Sequence, residues 1–220
     1  MIAAFRVIGR AIRHLNGNGY IYVWANLAFL LFSIPIITMP AAWAGLCKLS
    51  YHALRQPNAD WDHFIEGFKE WWKRSIPLSL INVVVIAVNG SNLLSYRGDA
   101  VGDWALRLVW IAVLVLWFSV QFYAYPLYYA METPTIRGAV KNAIVMILLN
   151  PLFTIGLLIG LLMIWSLSTI LAALWGLLTI SAMAIIANAA VQDRLRKAGL
   201  QPVPPELPPE VSDEIFYGSG

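Results

Sequence analysis

The 51 residues between Lys141 and Asp193 carry no formal charge, and no other feature constrains the chain as tightly. Built as one α-helix they would extend about 76 Å, more than twice the ~30 Å hydrocarbon core of a bilayer. The run is therefore read as two membrane spans, near 144–165 and 168–190, turning at Trp165-Ser166-Leu167-Ser168. Composition agrees. The chain is 60% hydrophobic and 12% charged with a mean hydropathy of +0.68, whereas a soluble domain carries about 25% charge. Its ten Trp and nine Tyr suit the two interfaces of a membrane.

The remaining gaps between charges supply the other spans. Arg74 to Arg97 encloses 22 residues, one span near 76–94, with Ser75 as its cap and Pro77 in the first turn, where no intrahelical amide is needed. Arg107 to Glu132 yields a span near 104–127, entered with Asp103 as N-cap. The run 20–47 is awkward. Its 28 uncharged residues would reach about 42 Å as a helix, too long for one span and too short for two. Pro35 and Pro40 interrupt it, each removing an amide donor. One kinked span over 20–46 is the first reading, and a broken or re-entrant pair of half-helices is the second. The expected fold is an all-α integral membrane protein of about five transmembrane helices with N-terminal and cytoplasmic amphipathic helices. It divides into an interfacial helix and turn (1–19), a membrane domain (20–190), and a basic juxtamembrane segment with a Pro-rich acidic tail (191–220).

In the five-span arrangement one side holds ten Lys and Arg residues, from the 48–75 loop, the 130–143 loop and the C-terminus, and the other holds five. The positive-inside rule places the richer side in the cytoplasm. Arg6, Arg10 and Arg13 dissent, because a single first span leaves them outside. A broken pair would bring them in and leave the side of the N-terminus as the open question. Two segments have amphipathic helical spacing. Residues 2–15 set Ile2, Phe5, Ile8, Ile12 and Leu15 apart from the three arginines, as an anchor in the headgroup region would. Residues 60–74 set Trp61, Phe64, Ile65, Phe68, Trp71 and Trp72 against Asp62, Glu66, Lys69, Glu70 and Lys73. That helix is read as an interfacial connector or as a docking surface for a protein partner.

Chemistry is sparse. Cys47 is the single cysteine, which excludes a disulfide framework and a C-x-x-C metal or redox motif. No Walker loop, Rossmann fingerprint, Gly-x-Ser-x-Gly or His-Glu-x-x-His is present. His63 and Glu66 match only part of a helical metal motif and have no second pair. No catalytic, cofactor or metal residue is assigned, and a net charge of +3 does not support nucleic-acid binding. Inside the spans the polar groups are neutral. Asn26, Pro35, Thr38 and Pro40 in the first run, with Asn150, Pro151 and Thr154 in the fourth span, form two Pro-x-x-Thr breaks, a pattern that marks candidate solute pathways. Gly156-x-x-x-Gly160 and Ala172-x-x-x-Gly176 are candidate packing stripes, either between the last two spans or in a homodimer.

Several strings carry a family likeness. Asn26-Leu27, Ser33-Ile34-Pro35-Ile36-Ile37-Thr38, Ala41-Ala42-Trp43-Ala44, Phe64-Ile65-Glu66-Gly67-Phe68-Lys69, Tyr125-Pro126 and Lys141-Asn142-Ala143 together resemble the YesL-like family of bacterial integral membrane proteins. The resemblance covers roughly residues 20–190, with Met39-Pro40 where that family usually has a Gly. It implies a five-span protein of the bacterial cytoplasmic membrane encoded beside carbohydrate-uptake and carbohydrate-degradation systems, and supplies no catalytic residue. The expectation is a non-enzymatic accessory or interaction protein, associated with carbohydrate uptake, whose partners are the lipid bilayer and a membrane or cytoplasmic protein. The alternative is a small permease or channel-like protein for a neutral or hydrophobic solute.

Overall fold

The computed structural model describes residues 1–17, 19–55, 59–96, 98 and 101–200; the acidic tail expected over 201–220 lies outside them. The elements are α1 (Ile2–Gly17), α2 (Gly19–Phe32), a 3₁₀ turn (Ile36–Thr38), α3 (Met39–Ala53), α4 (Asp62–Ser95), α5 (Val101–Ala130), α6 (Ile136–Leu149), α7 (Pro151–Ile170) and α8 (Ala172–Lys197). No strand occurs among the described residues. Four helices, α4, α5, α7 and α8, are long and apolar enough to cross a membrane, so the chain is an all-α, multi-pass membrane protein with four candidate spans in place of about five.

The missing span is the first run, which is a broken pair. α2 has 14 residues and α3 has 15, about 21–23 Å each and shorter than the hydrocarbon core. Pro35 stands extended ahead of the 3₁₀ turn, and the Thr38 hydroxyl donates to the carbonyls of Phe32 and Pro35 left open there. Proline and the borrowed hydroxyl thus make a stable break where the first reading had a kink.

Three other boundaries move for local reasons. The 60–74 amphipathic helix and the 76–94 span are one 34-residue helix, α4, that passes through Pro77. Ser75 does not cap it; its hydroxyl donates to Trp72 O. α5 likewise begins ahead of Asp103, which lies in its first turn. The span placed at 144–165 starts at Pro151 instead, because Asn150, the residue before proline, leaves the helical region (φ −132°, ψ 52°) and ends α6. A 20-residue helix from there runs to Ile170, so the hairpin turns at Leu171, not at Trp165-Ser168. The Ser168 hydroxyl is used inside the hairpin, 2.7 Å from the Thr179 hydroxyl.

The centre of the bundle is α3, a helix too short to be a span. Ala41, Ala42, Ala44, Leu46, Cys47 and Leu49 are fully buried, and α3 packs against α2, α4, α5 and α8. Small side chains allow this. A Cβ on Gly45 would lie 2.7 Å from the Phe64 carbonyl oxygen, and one on Gly67 would lie 2.9 Å from Gly45 Cα. The two helices therefore cross backbone to backbone.

The packing stripes fall differently from expectation. Gly156 and Gly160 receive α1, with Met1, Ala4 and Ile8 at closest approach, and not the other arm of the hairpin. Ala172 is exposed, and Gly176, inside the π turn Trp175–Thr179, has open space where a Cβ would go.

Helix crossings this close make a direct test. Gly45→Ala and Gly67→Ala should each lower stability by about 1–3 kcal/mol, as overpacking does, because a backbone atom, Phe64 O or Gly45 Cα, stands under 3 Å from each Cβ position. Gly90→Ala, with nothing within 4 Å of its Cβ position, should be neutral or stabilising. Thermal melts of detergent-solubilised variants compare the three.

Candidate functional site

Two polar constellations organise the bundle, and the first is built around Asn26. Within α8 the segment Trp175–Thr179 is a π turn, a geometry that shifts the hydrogen-bond ladder and is often found at functional positions. Asn26, fully buried, fills that shift. Its Nδ2 donates to the carbonyls of Trp175 (2.8 Å) and Gly176 (2.7 Å), and its Oδ1 accepts from the amides of Ile180 (2.9 Å) and Ser181 (3.1 Å). The Ser181 hydroxyl answers by donating to Tyr22 O at 2.8 Å. One carboxamide thus satisfies four backbone groups of another helix, and α2 is locked to α8.

The second constellation lies where α3, α4 and α5 meet. Lys48 Nζ is 3.2 Å from Glu66 and 3.8 Å from Glu70, and Arg74 is 3.8 Å from Glu70. The Tyr128 hydroxyl donates to Glu70 (2.8 Å) and accepts from Arg74 (2.7 Å). Trp71 fills the space beneath, its ring 4.7 Å from Tyr125 and 5.1 Å from Tyr128. At the outer end of this chain the rings of His52 and His63 lie 4.0 Å apart. Burial, then the neighbouring His63 and Lys48, hold the His52 imidazole below its ordinary range. Inward from the ion pairs, Asn188 Nδ2 donates to Cys47 O at 3.1 Å, and the hydroxyls of Ser50, Tyr125 and Tyr129 are buried without a partner among the described residues.

The candidate pathway residues are not brought together. Asn26 sits in the π turn. Pro35, Thr38 and Pro40 frame the α2–α3 break, held by Ser79, whose hydroxyl donates to Ile37 O at 2.9 Å. Asn150, Pro151 and Thr154 form the α6–α7 break at the far end of α8. There Asn150 Oδ1 accepts from Arg194 (3.1 Å), the Arg194 guanidinium lies over Phe153 (3.8 Å), and Thr154 meets the Tyr123 hydroxyl (3.3 Å). Ile180 and Arg194 are fourteen residues apart on one helix, about 21 Å, so the two asparagines serve different junctions.

Nor does the 60–74 helix keep its apolar face free. Phe64 and Trp71 are buried, and Trp61, Ile65 and Phe68 are half-buried, Phe64 and Phe68 stacking on Phe32 of α2. Only Trp72 remains exposed. The face that resembled a docking surface is occupied by α2, α3 and α5, and sequence periodicity does not distinguish a helix waiting for a partner from one already packed.

Gly45, Ser79 and Tyr128 are organising residues that sequence reasoning missed. Gly45 follows the small-residue stretch that carries the family resemblance, which was a usable signal. Ser79 and Tyr128 had none. An apolar groove of about 170 Å³ opens between α5, α7 and α8, lined by Phe118, Phe122, Leu158, Leu161, Leu162, Trp165 and Met183. Among the described residues no three His, Cys, Asp or Glu side chains are grouped to hold a metal ion. Compared with protein families, curated proteins and solved structures, the chain matches none.

Both constellations generate measurable expectations. Asn26→Leu strands two carbonyls and two amides in a low-dielectric interior, where each bare group costs about 1–3 kcal/mol. The variant should therefore melt well below Asn92→Ala, whose side chain bonds only its own helix. A histidine held below its ordinary pKa of about 6.5 is more protonated in the unfolded chain, so stability contributed above that value is lost as pH falls through it. The melting temperature should drop between about pH 7 and pH 5, and His52→Gln should flatten that profile.

Proposed function

We propose that this chain is a non-enzymatic accessory or interaction protein of the bacterial cytoplasmic membrane, working through lateral contact with another membrane protein in the carbohydrate-uptake setting that the YesL-like resemblance implies. The observation that carries the reading is the hairpin of α4 and α5. Only 11% of the apolar window of each is buried, against 39% in α7 and 56% in α8. The hairpin is held together by Asn82, whose Oδ1 accepts from Trp117 (3.0 Å) and Gln121 (3.0 Å), and it leaves Ala87 and Ser91 exposed one turn apart, with open space at Gly90. In lipid, apolar area gives no drive for association; small and weakly polar residues do, by letting backbones approach. That is what α4 offers on its outer face.

The same arrangement supports one orientation. With four crossings and a broken first run, Arg6, Arg10 and Arg13 join the ten Lys and Arg of the richer side. The balance becomes thirteen to two, with Arg97 and Arg107 opposite. The ion pair between Arg10 and Asp193 (3.0 Å) supports α1 lying at the end of the bundle where α8 finishes. The positive-inside rule then assigns α1, residues 48–75 and the C-terminus to the cytoplasm. The second reading, a small permease for a hydrophobic solute, is favoured by the apolar groove, which opens between spans and admits no charge.

Photo-crosslinking in cells separates the two. A crosslinker at Ala87 or Ser91 should yield an adduct with one defined membrane polypeptide, and one at buried Ala190 should yield none. Adducts with lipid alone at every hairpin position, together with solute uptake by proteoliposomes of the purified chain, would replace the accessory reading with the permease.

A further inference from the structure

The arginines of α1 are unusual in where they point. At 100° per residue, Arg6, Arg10 and Arg13 fall within about 60° of one another, a stripe one arginine wide along the helix. The buried residues Ala4, Val7, Ala11 and Leu15 occupy the opposite side, seated on α7 and α8. Arg6 and Arg13 thereby face away from the bundle, while Arg10, at the edge of the stripe nearer Val7, reaches back to Asp193 of α8. On the flank between stripe and seat, Phe5 and Ile12 are 44% and 46% exposed. A helix bound to membrane spans with its cations outward and aromatic and aliphatic groups on one flank can rest only at headgroup depth, because the arginines would otherwise enter hydrocarbon.

Among the described residues, counter-charge at this end is short. Asp193 is the carboxylate that the stripe reaches, and it is shared by Arg10, Arg194 and Lys197. Those three cations with Arg6, Arg13 and Arg196 make six against one carboxylate among the described residues, a local excess of +5. Among the described residues Arg13 bonds the Gly9 carbonyl of its own helix and no carboxylate. The Arg196 Nε–H, in the last turn of α8, is buried without a partner among the described residues. Guanidinium groups in this setting match the oxygens of a phosphate, which they bind in a planar, two-point manner.

We propose that α1, with the last turn of α8, is a binding site for an anionic phospholipid of the adjoining leaflet. The arginine stripe takes the phosphate and headgroup charge, and Phe5, Ile12 and the exposed Ile155 and Ile159 of α7 accept the acyl chains. α1 is then an electrostatic latch, with the small-residue seat at Gly156 and Gly160 holding it to the bundle and the lipid holding its outer face. The proposal is independent of what the α4–α5 hairpin binds.

Native mass spectrometry of the whole protein, released from nanodiscs of mixed phosphatidylcholine and phosphatidylglycerol, is the test. Phosphatidylglycerol should be retained in preference to phosphatidylcholine, and added salt during extraction should weaken the preference. The double variant Arg6→Gln/Arg13→Gln spares the Arg10 ion pair and should cut retained phosphatidylglycerol by about 25-fold, at roughly fivefold per arginine. Arg6→Lys/Arg13→Lys should recover part of it. Arg137→Gln/Lys141→Gln, on α6, should leave it unchanged. A melt of each variant confirms that the bundle is intact, and the lysine pair reads the charge should the glutamine pair not fold. Equal retention of the two lipids by the unaltered protein, or equal losses for the α1 and α6 variants, would overturn the proposal.

Discussion

The rest of the bundle depends on the crossing of α3 and α4 at Gly45 and Gly67. With no Cβ on either residue the helices meet at backbone distance, and that single approach fixes what lies on each side of it. Phe64 enters against Gly45, Lys48 comes within reach of Glu66 and Glu70, and Trp71 is pressed onto Tyr125 and Tyr128. The ion pairs are partly exposed and each adds little to stability on its own. Their value is in register: the chain from Lys48 through Glu70 to Arg74 and Tyr128 closes only when α4 stands at one height against α3 and α5.

Polar groups in a membrane bundle must find partners within the chain, since lipid provides none. Here several neutral polar residues of the helices are used that way, while the Ser50, Tyr125 and Tyr129 hydroxyls have no partner among the described residues. Asn26 completes the π turn of α8, Ser79 holds the α2–α3 break, Asn82 ties α4 to α5, and Asn150 receives Arg194. Groups used to satisfy a backbone are not free to bind a solute in the same geometry. Apart from the Ser50, Tyr125 and Tyr129 hydroxyls, what the bundle leaves unengaged is at its margins: the outer face of the α4–α5 hairpin, the apolar groove beside α7, and the cationic end formed by α1 and α8.

The charge pattern made much of this architecture readable. A bilayer excludes formal charge, so the gaps 74–97, 107–132 and 141–193 marked the four long apolar helices before any packing was known. Their ends were less legible. Pro77 was read as a start and lies inside α4, whereas Pro151 was read as interior and is a start. The same residue type allows both, and the neighbouring packing selects one. The amphipathic spacing of 60–74 was real, but its apolar face had a partner within the chain, which periodicity alone does not reveal.

Sequence by itself therefore determined the class, an all-α membrane protein with its charges kept at the ends of its helices, because the cost of charge in hydrocarbon is a property of each residue and needs no partner. Tertiary structure alone decided that the 20–47 run breaks in two and that its second half becomes the core. It also decided that Gly156 and Gly160 receive α1, and that α1 turns Arg6 and Arg13 outward. Apart from the break itself, which Pro35 and the Thr38 hydroxyl make locally, each of these depends on close contact between segments far apart in the chain, where the space at Gly45 or the hydrogen bonds of Asn26 exist only once both partners are in place.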